Sequence, residues 1–355
     1  MSNASDFTDG LIERIWFGND TLASVTRAVL MPAERLFGGI VGARDVLYDA
    51  GWLTSHATAL PALSVGNLTV GGTGKTPIAA WIASELRARG ARPAIILRGY
   101  GDDEPLVHQT LNPDVPVVLG ADRVAAIVEA ASKGADIAVL DDAFQHRQAQ
   151  RVADLVLVSA DRWTGEVHML PAGPWREPLT AVRRASLVVV TRKAATEAQA
   201  EEVHRRIAEV APGIPRVSVY LEPGELVQVG ANRSEAQALA ALDGRRVHVI
   251  ASIGDPAAFI AQLVALGAQV RSSVFPDHHN FTAEEVEAVV REAADAEVVV
   301  CTLKDAVKLE PRWPRLAPVL WYVSQRVTVE RGVGGIEHLL DDLVRARSAT
   351  SRNAG

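Results

Sequence analysis

Residues 64–77, SVGNLTVGGTGKTP, decide how this chain is read. With Ala62 and Leu63 before it, the first part is apolar enough for a buried strand, and PIAAWIASELRARG from Pro77 has helical spacing up to Gly90. Between them lies a glycine loop. A loop that leads from a strand into a helix turns successive backbone N–H groups inward at the positive end of the helix, and so makes a nest for an anion. Gly71, Gly72 and Gly74 allow the curvature and the close approach this requires. Lys75 is placed for β- and γ-phosphates and the Thr76 hydroxyl for Mg²⁺, so the expected phosphate-binding segment is Thr69, Val70, Gly71, Gly72, Thr73, Gly74, Lys75 and Thr76. Pro77 lacks an N–H, but the first helical turn has no intrahelical use for one. The one departure from the pattern G-x-x-x-x-G-K-[ST] is its first position, where Thr69 stands in place of glycine.

A nucleotide site of this kind also needs an acidic group for the metal. DIAVLDDAFQH supplies it: Ile137 to Leu140 are apolar, and Asp141 and Asp142 follow at the expected strand end, where ligands bind in open α/β sheets. One of the two can hold Mg²⁺ and the other can orient the lysine or a water; the spacing does not choose between them. The remaining strands, RPAIIL, PVVL, DLVLVSA and SLVVVTR, are apolar without polar alternation and are separated by helices such as DRVAAIVEAASKG and EAQAEEVHRRIAEV. That pattern predicts an α/β fold, a P-loop NTPase-like, mostly parallel sheet with helices on both faces. Residues 216–242 alternate like antiparallel strands, and RRVHVIASIGDPAAFIAQLV then restarts a strand–loop–helix unit. The expected organisation is N-terminal helices over 1–55, a P-loop core over 56–215, a two-stranded linker over 216–242, a smaller α/β domain over 243–345 and a frayed tail over 346–355.

The 355 residues are 48% hydrophobic and 22% charged with a net charge of −7, which argues against a nucleic-acid protein lacking a basic face to displace counterions. The single cysteine, Cys301, excludes an internal disulfide or a Cys-based zinc site and reads as a buried small hydrophobe. No secretory leader or transmembrane span is expected. Residues 22–48 carry apolar side chains at roughly helical spacing around Pro32 and Gly38-Gly39, interrupted by Arg27, Arg35 and Arg44. They read as a helical pair, packed on the core or resting an apolar face on a membrane. A guanine-reading N-K-x-D element is missing, since neither VVVTRKA nor VVVCTLKD has lysine and aspartate in that order and spacing, so ATP is the expected nucleotide.

Taken in order, SVGNLTVGGTGKTP, LRGYG, DDEP, LDDAFQHR, LPAGPWREPL, FPDHHNF and TLKDAVKL make the chain resemble the tetraacyldisaccharide 4'-kinase family, the lipid A kinases of Gram-negative bacteria, from about residue 22 to about residue 345. That family's loop lacks the first glycine too. The resemblance implies transfer of the γ-phosphate of ATP to the 4'-hydroxyl of a tetraacylated glucosamine disaccharide 1-phosphate, giving lipid IVA. It also implies two α/β domains and N-terminal helices on the cytoplasmic face of the inner membrane; no obligate protein partner is evident. By the same resemblance Asp103 is the base, His278 its neighbour, and Arg176 and Glu177 a pair near the phosphates; Gln145, His146, Arg98 and Tyr100 are nucleotide or substrate contacts. Lys304 and Asp305 are expected to structure the second domain or to face its cleft. Three departures stand out: Asp102 and Ala143 replace family glycines, and the insert the family commonly carries between LRGYG and DDEP is missing. A P-loop ATPase switch for assembly or metal insertion is the alternative reading, but it has no need of DDEP, LPAGPWREPL or FPDHHNF.

Overall fold

The computed structural model describes residues 11–99, 101, 103–230, 236–277 and 279–353, with the side chains of 349–353 excepted. Tyr100, Asp102 and His278 lie outside the described residues. Two units divide the described residues: a larger one, 11–99, 108–220 and 329–353, and a smaller one, 101, 103–107, 221–230, 236–277 and 279–328.

In the larger unit, helix α1 (11–17) precedes α2 (Thr21–Asp49). The alternating part follows: β1 (Ala62–Asn67), α3 (Lys75–Ala88), β2 (Pro93–Leu97), α4 (Asp103–Leu111), β3 (Val117–Leu119), α5 (Arg123–Ser132), β4 (Ile137–Asp141), β5 (Ala153–Ser159), β6 (Leu187–Arg192), α6 (Glu197–Val210) and β7 (Arg216–Gln228). The strands of this unit are all parallel in the order β3-β2-β4-β1-β5-β6-β7. Every residue of β1, β2 and β4 is buried, which is why their sequences run apolar without alternation. Ala62, Ala138 and Leu140 pack with Ile127 and Ala130 of α5, whereas Val156, Val158, Val188 and Val190 pack with Val203 and Ile207 of α6. From β1 the chain moves outward to β2 and β3, returns to β4 beside β1, and then continues on the other side with β5. The strand order therefore reverses around β1, and crevices at such switch points bind ligands.

The smaller unit holds β8 (Ala236–Ala238), β9 (Arg246–Ala251), α7 (Pro256–Ala265), β10 (Gln269–Val274), α8 (Ala283–Glu292), β11 (Val298–Thr302), α9 (Leu303–Leu309) and β12 (Leu320–Arg331). Its strands run β10-β9-β11-β12-β7, with β8 antiparallel to β7. Cys301 is fully buried in its core, and burial pushes the thiol pKa up. α4, β7 and β12 each pass from one unit into the other along the chain. The stretch 216–242 thus supplies β7 and β8, while the second crossing strand, β12, comes from far downstream.

Two local expectations change. Residues 22–48 form a single helix of 29 residues, α2, and not a pair. Pro32 and Ala28 are both exposed, on a part of the helix the core does not cover. The second change is at the C-terminus, where α10 (Val333–Asn353) remains helical through most of the stretch read as a frayed tail. Ile336, Leu339, Leu340 and Leu343, at helical spacing, are buried, and α10 packs on α3, β4 and β6 of the larger unit.

Gly66 shows how closely β1 approaches the turn after β4. A Cβ there would sit 2.6 Å from the Phe144 Cβ and 2.8 Å from its backbone nitrogen. Gly66→Ala is expected to lower stability by about 1–3 kcal/mol through overpacking, read as a lower urea midpoint; an unchanged midpoint would contradict the close approach.

Candidate active site

The loop after β1 is shaped by two glycines and one long-range pairing. Gly71 and Gly74 have φ of 93° and 87°, in the left-handed region that favours glycine, and Gly74 caps α3. Thr69 forms an antiparallel bridge with Trp175. Val70 N–H donates to Pro174 O at 2.8 Å and Arg176 N–H to Leu68 O at 2.7 Å. The first position of the loop is therefore extended strand, paired to the segment 174–176, and an extended residue has no need to be glycine. That is the physical reason Thr69 is tolerated.

Asn67, the last residue of β1, ties the loop to its surroundings. Its amide donates to Thr73 Oγ1 at 2.8 Å, its side-chain oxygen accepts from Arg176, and its backbone carbonyl accepts from Gln145 at 2.8 Å. On the far side, Thr191 Oγ1 donates to Thr73 O at 3.0 Å and Lys193 Nζ to Gly72 O at 3.3 Å. Asp161 holds Lys193, Ala194 and Ala195 by their backbone N–H groups at 2.8, 2.7 and 2.7 Å. VVVTRKA, which lacks a base-reading pattern, in this structure braces the phosphate loop from outside. Neither Asn67 nor Lys193 was picked out from sequence, because their partners lie far along the chain.

Acidic and basic groups gather where β1, β2 and β4 end. Asp142 accepts from both terminal nitrogens of Arg176, at 3.2 and 2.8 Å, and lies 3.8 Å from Lys75 Nζ. Burial opposes its ionisation, but the charge of Lys75 and the Arg176 pairing win and hold its pKa at about 2. Asp142 is also the one non-glycine residue with positive φ, 52°, among the described residues; aspartate tolerates that conformation better than most. The strained position is thus Asp142, and Ala143, the replaced glycine, is buried without positive φ. Asp141 is buried, accepts from His108 Nε2 at 3.0 Å through Oδ2, and has no hydrogen-bond partner for Oδ1 among the described residues. Thr76 is buried at the start of α3.

Arg123 was not singled out from the sequence, yet its position is informative. At the start of α5 it is almost fully buried, and burial lowers its pKa, with Asp142 and Asp141 pulling the other way and Arg98 adding to the fall. Burial and the charge of Arg123 likewise lower the His146 pKa and favour its neutral imidazole. Arg98 is exposed just after β2. Asp103 is the first residue of α4 and is buried; by packing it belongs with the smaller unit, whereas the helix from His108 onward belongs with the larger. In the smaller unit Lys304 lies 3.6 Å from Glu104, and Asp305 is buried, accepting from Ser252 and Thr302, which makes it a structural residue.

Glu177 bonds to other partners than its neighbour Arg176 does. It is wholly buried, with one carboxylate oxygen on Arg44 at 2.6 Å and the other on Arg184 at 2.6 Å; Asp45 accepts from Arg44 and Arg184 as well. Both oxygens are engaged in fastening α2 to the larger unit. Glu177→Ala leaves two arginines without their buried partner and is expected to cost about 3 kcal/mol or more, with α2 becoming sensitive to limited proteolysis. Nucleotide affinity, measured by titration of the folded variant, is expected to stay within about twofold; a selective loss of nucleotide binding would contradict a purely anchoring role.

Known proteins resemble this chain in both sequence and fold. The family described as Tetraacyldisaccharide-1-P 4'-kinase matches residues 26–345. A tetraacyldisaccharide 4'-kinase of Anaeromyxobacter dehalogenans is 40% identical over 328 residues, covering 84% of this chain and 86% of the relative. One from Geobacter sulfurreducens is 36% identical over 84% of this chain and 88% of its own length. The crystal structure of LpxK from Aquifex aeolicus in complex with ATP superimposes with a TM-score of 0.69 at 29% identity, covering 90% of this chain and 99% of that one.

Proposed function

The chain belongs to the Tetraacyldisaccharide-1-P 4'-kinase family, and on that premise we propose that it moves the γ-phosphate of ATP to the 4'-hydroxyl of a tetraacylated glucosamine disaccharide 1-phosphate, a step of lipid A assembly that yields lipid IVA. The observation that carries the reading is the gathering of Lys75, Asp142 and Arg176 at the mouth of the phosphate loop. Phosphoryl transfer needs positioned phosphates and compensated charge more than covalent chemistry from the protein. The loop N–H groups and Lys75 hold the triphosphate, and Arg176, already oriented by Asp142 and Asn67, offers its guanidinium to charge developing on the transferred group.

The residues fit a divalent cation. Asp141 Oδ1 is a buried carboxylate oxygen with no hydrogen-bond partner among the described residues, a costly arrangement that an ion relieves. Asp142 is already engaged by Arg176 and Lys75, so Asp141 and Thr76 are the residues that would hold Mg²⁺. When bound, the ion screens phosphate charge. Asp103 is the proposed base for the acceptor hydroxyl, with His278 proposed to share its proton; Arg98 and Tyr100 are proposed contacts to the substrate phosphate and sugar, and Gln145 and His146 to the nucleotide or sugar. Gln145 is the most constrained of these, since its amide is bonded to Asn67 O.

A lipid substrate calls for a route to a bilayer, and α2 offers one. Leu22, Val25, Val29, Leu36 and Ile40 are 54–72% exposed and fall on one side of the helix. The opposite side is held by Ala23, Val41, Arg44 and Asp45. No helix among the described residues is long and apolar enough to cross a membrane. We therefore propose peripheral binding at the cytoplasmic face of the inner membrane, with this stripe in the headgroup layer.

Labelled ATP and tetraacyl disaccharide 1-phosphate in detergent micelles are expected to give a lipid labelled at the 4'-position, and Asp103→Ala to lose roughly 10²–10⁴-fold in turnover with nucleotide affinity little changed. No lipid product from folded, ATP-binding protein overturns the proposal. For the membrane face, the pair Val29→Glu and Leu36→Glu is expected to reduce sedimentation with anionic vesicles about tenfold while leaving the thermal midpoint near the parent's, because both side chains are exposed; unchanged sedimentation removes the stripe.

A further inference from the structure

We propose that His108 is a positioning residue that sets the orientation of Asp141 and so builds the cation site, an inference that rests on the reading of Asp141 as a metal ligand. His108 and Asp141 are 33 residues apart, on α4 and at the end of β4, and their side chains are 0% and 3% exposed. A carboxylate without a proton can only accept, so the 3.0 Å contact between His108 Nε2 and Asp141 Oδ2 assigns the Nε2–H tautomer to the imidazole. That bond occupies one oxygen and fixes the plane of the carboxylate. The other oxygen, Oδ1, keeps its lone pairs, since it has no hydrogen-bond partner among the described residues. Rotating the carboxylate would break the bond in a place water does not reach, so the oxygen offered to a cation is selected by the histidine.

His108 is itself held in register. One turn further on, the Asn112 side chain donates at 2.9 Å to Ala80 O in α3, the helix whose first two residues are Lys75 and Thr76. The C-terminal half of α4 thus joins the end of β4 to the helix that starts at the phosphate loop. The pair is more than a packed polar contact because its two remaining buried atoms, His108 Nδ1 and Asp141 Oδ1, have no hydrogen-bond partner among the described residues. A pair kept for packing alone gains nothing from leaving a carboxylate oxygen unsatisfied; a pair that presents the oxygen to an ion does.

The test compares full-length His108→Gln, which keeps an N–H donor at similar reach, with His108→Met, which has similar length and no donor. Mn²⁺ is titrated into ATP-loaded protein and followed by electron paramagnetic resonance. His108→Gln is expected to stay within about threefold of the parent and His108→Met to weaken Mn²⁺ affinity about tenfold or more, with ATP affinity in excess chelator little changed in both. Asp141→Asn is the reference: if it keeps Mn²⁺, the metal reading falls and this inference with it. If Asp141→Asn loses Mn²⁺ and His108→Met keeps it, or if both His108 variants lose it equally, the inference alone is overturned. Should His108→Met fail to fold, ¹⁵N-histidine spectra of the parent decide: a protonated, slowly exchanging Nε2 at His108 is expected, and an Nδ1-protonated ring there overturns it.

Discussion

The carboxylate of Asp142, held between Arg176 and Lys75, organises the larger unit's functional end. Two cations aimed at a phosphate would repel each other in an empty site. Asp142 compensates both, at the cost of a left-handed backbone conformation at the end of a fully buried strand. Its low pKa is the signature of that attraction exceeding the penalty of burial. Because Arg176 also reaches Asn67, the same interaction orients the segment that pairs with Thr69 and Val70. The glycine loop, the acidic strand end and the segment 174–176 are therefore one construction, although they lie between residues 69 and 176 of the sequence.

Helix α2 obeys a different constraint. It has to remain fixed to the larger unit while leaving its apolar side uncovered. Packing that apolar side on the core would be the ordinary outcome for leucine and valine at helical spacing. Here Val41 and Phe37 pack on the core, and charge adds to the attachment: Arg44 and Asp45 from the helix interlock with Glu177 and Arg184, and Glu34 accepts from the Met169 N–H at 2.7 Å. An ionic anchor holds the helix without consuming its hydrophobic surface. The buried Glu177, adjacent in sequence to Arg176, belongs to that anchor.

Much of the fold was legible because its signals are local. Unbroken apolar runs such as AVL and LVVV cannot be half-exposed strands, and the glycine loop between a strand and a helix has few other uses. The departures were legible only in part. Pro32 suggested a break in α2, but the helix runs through it, with Pro32 and Ala28 both on exposed positions. The tail after residue 345 looked weakly ordered, but Ile336 to Leu343 bury on α3, β4 and β6 and extend order to Asn353.

For this protein the sequence by itself determined the parallel α/β class, the glycine loop between β1 and α3, and the place of Asp141–Asp142 at the end of β4. Each of those follows from residues within a few positions of one another, where backbone geometry and hydrophobic spacing act directly. Tertiary structure decided the rest: that Thr69 is a paired strand residue, that Arg176 and Glu177 part company, that Asp142 takes the cations while Asp141 takes His108, and that Lys193 and Asn67 brace the loop. The physical reason is that hydrogen bonds and ion pairs choose partners by position in space. A side chain's residue type states what it can bond, and only the folded chain states which partner is within 3 Å of it.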